Sequence, residues 1–482
     1  MSLSIRLRLS IMMFLQYAIW ASWYVTMGRY LGGVLNFAPE QIGLAYNATA
    51  IAAIISPFFV GMVADRFFAT EKVLAVLHVV GGLLVLALAK ATTFQTFYPL
   101  LIAHTLFYMP TLALTNAISF GQMKDPGKEF PKIRVLGTIS WIVTVWGIGQ
   151  VASTGAFKGF DVSTPAPFVI AGVASIVMGL YCLTLPHTPP RASDKKVTAA
   201  DVLGLEALQL LKDRSFAMFV VSAFLISIPL SFYFSFAPTF CGDLDMPNAT
   251  GKTVFGQISE IVFLLIMPWF FARLGVKWML MVGMASWGVR YLLFRHGYNT
   301  GDLWPLYLGI VLHGVCYDFF FVTAYIYTDK AAWDSIRAKA QGFIALVTLG
   351  AGMFVGTTLS GKIAGAYSFP AVESAKFQKV DAAAWVAGNY VKWDVSGAPV
   401  FGRIKEIANG NAAVTVYKKE ASGSFAATSE TATVPAASLM KPLPRWDQIW
   451  LLPGVGSLLI MALFARVFRY KEQDRPSAAP AA

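Results

Sequence analysis

Long apolar stretches recur along this chain, and each has about the 20 residues that a helix needs to cross the hydrocarbon core of a membrane. In lipid such stretches form helices or closed barrels, because no water is present there to satisfy the backbone. A charged, Pro-rich interval, 186–214, divides the twelve stretches into two sets of six. The predicted spans are 9–31, 41–64, 72–91, 98–122, 135–154, 165–185, 216–239, 255–273, 277–296, 304–326, 340–365 and 449–468.

The composition also favours an all-α transmembrane protein that lies in the lipid bilayer. Hydrophobic residues make up 56% of the chain and charged residues 13%, whereas soluble domains carry about a quarter charged residues. The net charge of +12 indicates basic cytoplasmic loops and anionic lipid rather than nucleic acid. The three cysteines are scattered and indicate neither a disulfide framework nor a metal site. We expect no cofactor, no metal and no nucleic-acid partner.

The basic residues orient the chain. Their clusters fall on one side when the spans alternate, which predicts cytoplasmic termini in the cell inner membrane; Arg290 and Arg295 are the main exceptions. The basic, apolar N-terminus is interpreted as a retained first span, since it lacks a small-residue cleavage site. The predicted domains are an N-terminal six-helix bundle (1–186), a cytoplasmic linker (187–215), a C-terminal bundle (216–366 and 446–470), an extracytoplasmic β-rich insertion (371–445) and a cytoplasmic tail (471–482).

Two acidic residues lie inside predicted spans. Gln257 and Glu260 are three residues apart in the eighth span and therefore share a helix face. Asp318 lies among aromatic residues in the tenth span. A carboxylate at this depth is costly, so its default interpretation is functional, and burial favours its protonated form enough for proton exchange near neutral pH. A structural polar contact between helices is the alternative. Which acid carries a proton is left open.

Other polar and aromatic residues share faces of the spans. Arg134, Thr138 and Trp141 follow the spacing i, i+4, i+7 in the fifth span. Arg134 is near a helix end, where extension of its side chain to the membrane surface is an equal alternative. Trp141 and Tyr317 can stack on a planar ligand, although aromatic residues in spans are mostly packing. The histidines within spans are interpreted as hydrogen-bonded structural residues rather than proton relays; they are His78, His104 and His313.

Two six-helix halves joined by a basic linker resemble the major facilitator superfamily. Gly61, Asp65 and Arg66 match its signature G-x-x-x-D-R between spans two and three, and the basic loop 273–277 is similar to the counterpart of that motif in the second half. The resemblance implies a twelve-helix fold of six plus six spans, with Asp65 and Arg66 as a conformational gate. No nucleophile–base pair, phosphate loop or metal spacing indicates an enzyme.

Several spans are also similar to the bacterial nucleoside:proton symporter family. The matching stretches are FLQYAIWASW (14–23), YMPTLALTNAIS (108–119), IRVLGTI (133–139), QISE (257–260), YDFF (317–320) and IRAKAQG (336–342). The resemblance implies proton-coupled uptake of nucleosides by alternating access, in a protein that we expect to be a monomer. It implies that substrate is bound by Arg134, Thr138, Trp141, Ser231, Gln257, Glu260, Tyr317 and Asp318. It implies proton coupling by Glu260 or Asp318.

The seventh span departs from that family. Members that take up nucleosides carry a Gln/Asn pair there, and Ser231 and Phe234 occupy those places in this chain. An amide can form bidentate contacts with a base or sugar, whereas a hydroxyl forms one contact. Two alternatives therefore stay open: a proton symporter of another small neutral solute, such as a sugar or a nucleoside-derived compound, and a membrane receptor that does not transport.

The segment before the last span has a different periodicity. Residues 388–394, 400–407, 413–418 and 432–436 alternate between apolar and polar, which predicts short strands. Turn residues separate them, including Asn409–Gly410 and Ser422–Gly423. Residues 388–441 resemble small Tudor/SH3-like barrels. A peptide-binding domain and an inert cap over the outer mouth are both consistent with this pattern, and the inert cap is preferred.

Overall fold

The computed structural model describes residues 2–59, 68–154, 164–189, 205–333 and 336–469, most of which are helical. The long helices and their breaks are α1 (Leu3–Tyr24), α2 (Met27–Gly33), α3 (Pro39–Phe59), α4 (Thr70–Leu88), α5 (Phe94–Gly121), α6 (Pro126–Thr154), α7 (Ala166–Cys182), α8 (Arg214–Asp243), α9 (Ala249–Lys252), α10 (Val254–Thr300), α11 (Trp304–Val311), α12 (His313–Tyr317), a π-helical segment (Asp318–Val322), α13 (Thr323–Ala331), α14 (Arg337–Ala345), a second π-helical segment (Leu346–Gly352), α15 (Met353–Ala366) and α16 (Trp446–Val467). The strands are β1 (Phe377–Lys379), β2 (Tyr390–Val395), β3 (Ala398–Ala408), β4 (Asn411–Lys419), β5 (Phe425–Pro435) and β6 (Met440–Pro442).

The helices follow the apolar pattern of the sequence. Within the described ranges, eight helical segments are long and apolar enough to cross a membrane, and α7 is a shorter apolar helix. Each predicted span overlaps one of the helices given above. The predicted gate residues Asp65 and Arg66, most of the predicted linker and the predicted tail lie outside the described residues.

The predicted basic loop between spans eight and nine lies at a sharp kink. Two helices meet there within the segment labelled α10, and Gly275 between them has non-helical dihedral angles, φ 63° and ψ 177°. Glycine is the residue that adopts this conformation readily, because it has no Cβ. Lys277 next to the kink donates hydrogen bonds to the carbonyls of Ala465 (3.0 Å) and Phe468 (2.8 Å). A basic side chain thus satisfies carbonyls at the end of α16.

The helices pack in two groups, α1–α7 and α8–α16, which we call the first half and the second half. In the first half α1 packs on α6 and α4 packs on α7; in the second half α10 packs on α16 and α8 packs on α15. Small residues allow the closest of these approaches: a Cβ on Gly82 of α4 would lie 2.8 Å from the carbonyl oxygen of Gly172 in α7. Close backbone contact through small residues is typical of helices in membranes. α3 packs on α15 and joins the halves.

The six strands form one antiparallel sheet with the order β1-β6-β2-β3-β4-β5. Asn409 and Gly410 both have positive φ, at 51° and 76°, and connect β3 to β4 by the tight hairpin turn that this dipeptide favours. The strands predicted from alternation overlap β2 to β5. The residues on one face of the sheet form their own core.

Hydrogen bonds tie the sheet to both halves at one end of the helical bundle. In the first half Asn36, between α2 and α3, bonds to the side chain of Asn389 and donates to the carbonyl of Ala387 (3.1 Å). In the second half Asp243, at the end of α8, accepts from Nζ of Lys441 (2.7 Å). We call this end of the bundle the sheet side.

Candidate functional site

A cavity of about 580 Å³ lies between the two halves and defines the candidate site. Helices of both halves line it, so a ligand in it contacts both at once. The lining residues are Tyr17, Trp20, Tyr24, Thr49, Ala53, Ile54, Ser56, Met109, Leu112, Ala113, Arg134, Gly137, Thr138, Trp141, Leu230, Phe234, Gln257, Glu260, His313, Tyr317, Gly342, Ala345, Leu346, Leu349 and Met353. A volume in this range accommodates small-molecule ligands.

Six of the eight residues predicted to bind substrate lie in the wall of this cavity. Three come from α6, where their spacing places them on one face, and two come from the start of α10, where a spacing of three does the same. The last comes from α12. The residues are Arg134, Thr138, Trp141, Gln257, Glu260 and Tyr317.

The guanidinium of Arg134 lies over an aromatic ring at the edge of the cavity. Its Cζ is 4.3 Å from the centroid of the Tyr17 ring. Gly137 makes room for this arrangement, because a Cβ there would lie 2.6 Å from the Tyr17 ring and 2.9 Å from Nη1 of Arg134. A cation over an aromatic face is stabilised electrostatically, and more so when water is partly excluded. The site therefore has a positive group on the side of the first half.

The second half contributes a carboxylate and an amide to the same cavity. Oε2 of Glu260 lies 4.0 Å from Nε2 of His313, and 28% of the Glu260 side chain is exposed, compared with 3% of the His313 side chain. Oε1 of Gln257 is buried and has no hydrogen-bond partner among the described residues. Glu260 and Gln257 thus present polar atoms to the cavity, opposite the cation of Arg134.

Ser231 and Asp318 lie outside the lining of the cavity. The hydroxyl of Ser231 donates to the carbonyl of Ser227 (2.9 Å) and contacts Sδ of Met353 (3.3 Å), within the packing of α8 on α15. Asp318 is 1% exposed and begins a π-helical segment; within the described part of the chain its Oδ2 has no hydrogen-bond partner. Such segments frequently mark functional sites. The predicted roles of both residues stay predictions.

Aromatic rings close the cavity toward the sheet side. Trp20 meets Trp141 edge to face, with 5.7 Å between the ring centroids. Tyr24 of the first half meets Phe234 of the second half in the same manner, at 5.8 Å. Edge-to-face contacts at these distances are favourable. The two halves are therefore in direct contact at the sheet side of the cavity.

Further contacts join the halves between this aromatic layer and the sheet. Asn248, just before α9, donates to Oε1 of Gln150 in α6 (3.1 Å). Asn47 of α3 donates to the hydroxyl of Thr358 in α15 (2.7 Å). Away from the sheet side, the cavity wall extends to Arg134. This residue lies about 12 Å along the helix from Pro126, where α6 begins. The site is thus closed on the sheet side and extends toward the opposite end.

The structure adds residues to the site that the sequence did not predict to bind substrate. His313 and Tyr17 line the cavity, and so does Phe234, which the sequence indicated only as a departure from a family pattern. The signal for His313 was its position four residues before Tyr317, which places both on one helical face.

Sequence comparison relates the chain to known transport proteins. The sequence profile of the nucleoside H+ symporter family matches residues 1–386. The putative nucleoside transporter YegT of Escherichia coli (strain K12) is 44% identical over 359 residues, which cover 73% of this chain and 83% of that protein. The nucleoside permease NupG of the same organism is 31% identical over 382 residues, which cover 76% of this chain and 89% of the permease.

Solved structures show the same architecture. The crystal structure of the nucleoside transporter NupG superimposes with a TM-score of 0.74 at 26% identity, covering 97% of this chain and all of that one. A bacterial homologue of the lysosomal transporter Spinster, 14% identical, shares the fold with a TM-score of 0.57 over 76% of this chain and 82% of its own. The chain is thus a multi-pass membrane protein with a major facilitator type of transporter fold, and it belongs to the nucleoside H+ symporter family.

Proposed function

We propose that this protein takes up nucleosides together with protons, through a cavity that faces one side of the membrane at a time. The observation that carries the proposal is the cavity between the halves, which combines a cation, a carboxylate, an amide and several aromatic rings. Aromatic faces suit a planar base, and the polar groups suit the hydroxyls and ring atoms of a nucleoside. Contacts on the sheet side fit a state in which substrate exchanges at the other end.

In this proposal Arg134, Thr138, Trp141, Gln257 and Tyr317 contact the nucleoside. Glu260 contributes a carboxylate to the cavity wall and carries the proton. Asp318 is the alternative proton carrier, because it is buried and its Oδ2 has no hydrogen-bond partner among the described residues. A buried carboxyl without a partner is more stable when protonated than when charged.

The proposal also includes the finer architecture. Twelve spans form two six-helix bundles, 1–186 and 216–366 with 446–470, with both termini cytoplasmic in the cell inner membrane. Residues 187–215 link them and 471–482 form a tail. Residues 371–445 are an extracytoplasmic insertion, so the sheet side faces outward. The basic clusters at the opposite helix ends support this orientation. The transporter acts as a monomer, and rocking of the halves moves the site from one side to the other.

A second candidate is proton-coupled uptake of another small neutral solute, such as a sugar. The observation that favours it is the seventh span: Phe234 faces the cavity and Ser231 lies outside its wall, so α8 offers no amide to a base. The two candidates differ in the substrate that is accumulated.

The test is uptake of a labelled nucleoside panel, and of labelled sugars, into proteoliposomes with and without an imposed proton gradient. We expect accumulation of at least one nucleoside that stops when an uncoupler collapses the gradient. Accumulation that persists without a proton gradient and follows sodium would exclude proton coupling. Accumulation of sugars alone would favour the second candidate.

A further inference from the structure

His313 and Arg290 form a buried pair next to Glu260. Arg290 is fully buried in the part of α10 that follows Gly275, and its Nη1 lies 3.0 Å from Nδ1 of His313. The other ring nitrogen, Nε2, lies 4.0 Å from Oε2 of Glu260, and His313 is part of the cavity wall. The imidazole thus lies between a cation and a carboxylate, with one edge at the cavity.

Aromatic neighbours fix the orientation of this imidazole. Tyr233 stacks on it with 5.2 Å between centroids and 23° between planes, and Cζ of Arg290 lies 3.4 Å from the centroid of the same Tyr233 ring. Trp287 meets the imidazole edge to face at 6.3 Å. A ring turned by half a revolution would present a carbon to Arg290 instead of an acceptor. The pair therefore requires Nδ1 on the Arg290 side.

The chemistry of the two groups decides where the imidazole proton lies. A guanidinium has N–H donors and no acceptor, so Nδ1 of His313 accepts and carries no proton. The single proton of the neutral ring is then on Nε2, toward Glu260 and the cavity. A second proton on Nδ1 would place two N–H groups against each other at a separation of 3.0 Å between nitrogens. His313 is thus held as a neutral donor.

We propose that Arg290 is a positioning residue that fixes His313 as an Nε2–H donor, and that this donor binds an acceptor atom of the substrate's planar base. The inference rests on the proposed function, since it names the part of the nucleoside that is bound. The base is favoured over the ribose because the walls beside His313 are aromatic: the rings of Phe234 and Tyr317 lie 6.3 and 5.7 Å from its centroid. Span ten thereby supplies a donor to the cavity, to which α8 contributes the apolar side chains of Leu230 and Phe234.

The first test observes the tautomer without any substrate. The chain has five histidines, so nitrogen-labelled histidine gives a solid-state NMR spectrum in which the His313 signals are identified by their loss in His313→Asn. We expect Nε2–H with unprotonated Nδ1 in the wild type and in Arg290→Lys, which keeps a cationic donor. Arg290→Met removes the donor, and we expect the Nδ1–H form to appear. Nδ1–H in the wild-type protein would overturn the role of Arg290.

The second test measures binding in lipid nanodiscs with uridine, 2-thiouridine, 4-thiouridine and 2′-deoxyuridine. Sulfur is a weaker acceptor than oxygen, so we expect the wild type to bind one thio analogue about tenfold more weakly than uridine, the size of one hydrogen bond. The Asn side chain in His313→Asn keeps an acceptor for Arg290 but is too short to reach the cavity, so this variant should bind uridine and the thio analogue equally well. The Gln side chain in His313→Gln places an amide donor close to the position of the Nε2 atom, so this variant should still prefer uridine. The ratio of the dissociation constants of 2′-deoxyuridine and uridine should be the same in all variants.

Three outcomes contradict the inference. They are equal binding of uridine and both thio analogues by the wild type, thio discrimination that survives in His313→Asn, and a deoxyuridine ratio that changes with His313. A wild-type protein that accumulates no nucleoside of the labelled uptake panel would instead overturn the proposed function, and the inference would fall with it. The NMR experiment distinguishes failure of the inference from failure of the proposed function, because it observes the tautomer of His313 beside Arg290 without any substrate.

Discussion

The ring of Tyr24 in the first half lies edge-on to the ring of Phe234 in the second half, with 5.8 Å between their centroids. Phe234 also lines the cavity. The same side chain therefore forms part of the candidate site and contacts the first half on the sheet side of the cavity. An aromatic pair of this kind contributes about 0.5–1.5 kcal/mol beyond its buried area. Loss of the contact therefore weakens the closed arrangement of the sheet side.

We predict that Phe234→Ala increases the population in which the sheet side is open by roughly fivefold, the equivalent of about 1 kcal/mol. Spin labels at the exposed positions Gly33 and Thr300, which lie on the sheet side of the two halves, report the change by electron–electron distance measurement. The native cysteines are buried and should not be labelled. An unchanged distance distribution in Phe234→Ala would show that the Tyr24 contact does not hold the halves together.

Gly149 provides a second test of the same closure. A Cβ on Gly149 would lie 2.7 Å from the backbone of Gly251 and still closer to Asn248, whereas a Cβ on Gly147, in the same helix, would meet nothing within 4 Å. We expect Gly149→Ala to force α6 and α9 apart and to shift the spin-label distances, and Gly147→Ala to leave them unchanged. Equal effects of both substitutions would mean that helix propensity rather than the contact is responsible.

We expect Glu260→Gln to abolish accumulation against a gradient but to leave exchange of substrate across the membrane intact. The amide keeps the shape of the side chain but cannot release a proton. Thermal stability in detergent should stay the same or rise, because a charge near lipid depth is removed. Proteoliposome uptake and counterflow measure the two activities separately. Uptake at the wild-type rate in Glu260→Gln would make this residue structural.

Asp318→Asn is expected to give the same pattern if Asp318 carries the proton. Its side chain lies off the cavity wall, so substrate affinity should change less than twofold. A variant that binds substrate normally and does not accumulate it supports a coupling role. A variant with full accumulation would leave Glu260 as the proton carrier, and one that fails to fold would indicate a structural role for this buried carboxyl.

We predict that the sheet folds by itself and that the transport cycle does not require it. Its core consists of residues between Trp385 and Leu439, and no residue of this segment lines the cavity. Loops tolerate inserted domains when the ends of the segment are close together. A Gly/Ser linker between Tyr367 and Trp446 should leave the transporter active, with a substrate affinity within about twofold of the wild type. A linker variant that inserts and folds but binds no substrate would make the sheet part of the site.

The sequence predicted the helices and the faces of α6 and α10 because helical periodicity is local. The relation of Arg134 to Tyr17 and of His313 to Arg290 depends on packing between different helices, which the periodicity of each helix does not contain. Ser231 illustrates the limit: its family position predicts a substrate contact, and only the structure shows that its hydroxyl donates to the carbonyl of Ser227 within the helix. The short strands β1 and β6 have only three residues each, too few for alternation to be recognised.

The hydrogen bonds of the sheet have a kinetic consequence. Asn389 holds the first half through Asn36, and Lys441 holds the second half through Asp243. Separation of the halves at this end must lengthen one of these links, whereas movement at the other end strains neither. The sheet therefore adds to the barrier for opening on its own side and leaves the reverse step nearly unaffected. It contributes to the lifetime of the state in which the sheet side is closed, without a direct effect on substrate affinity.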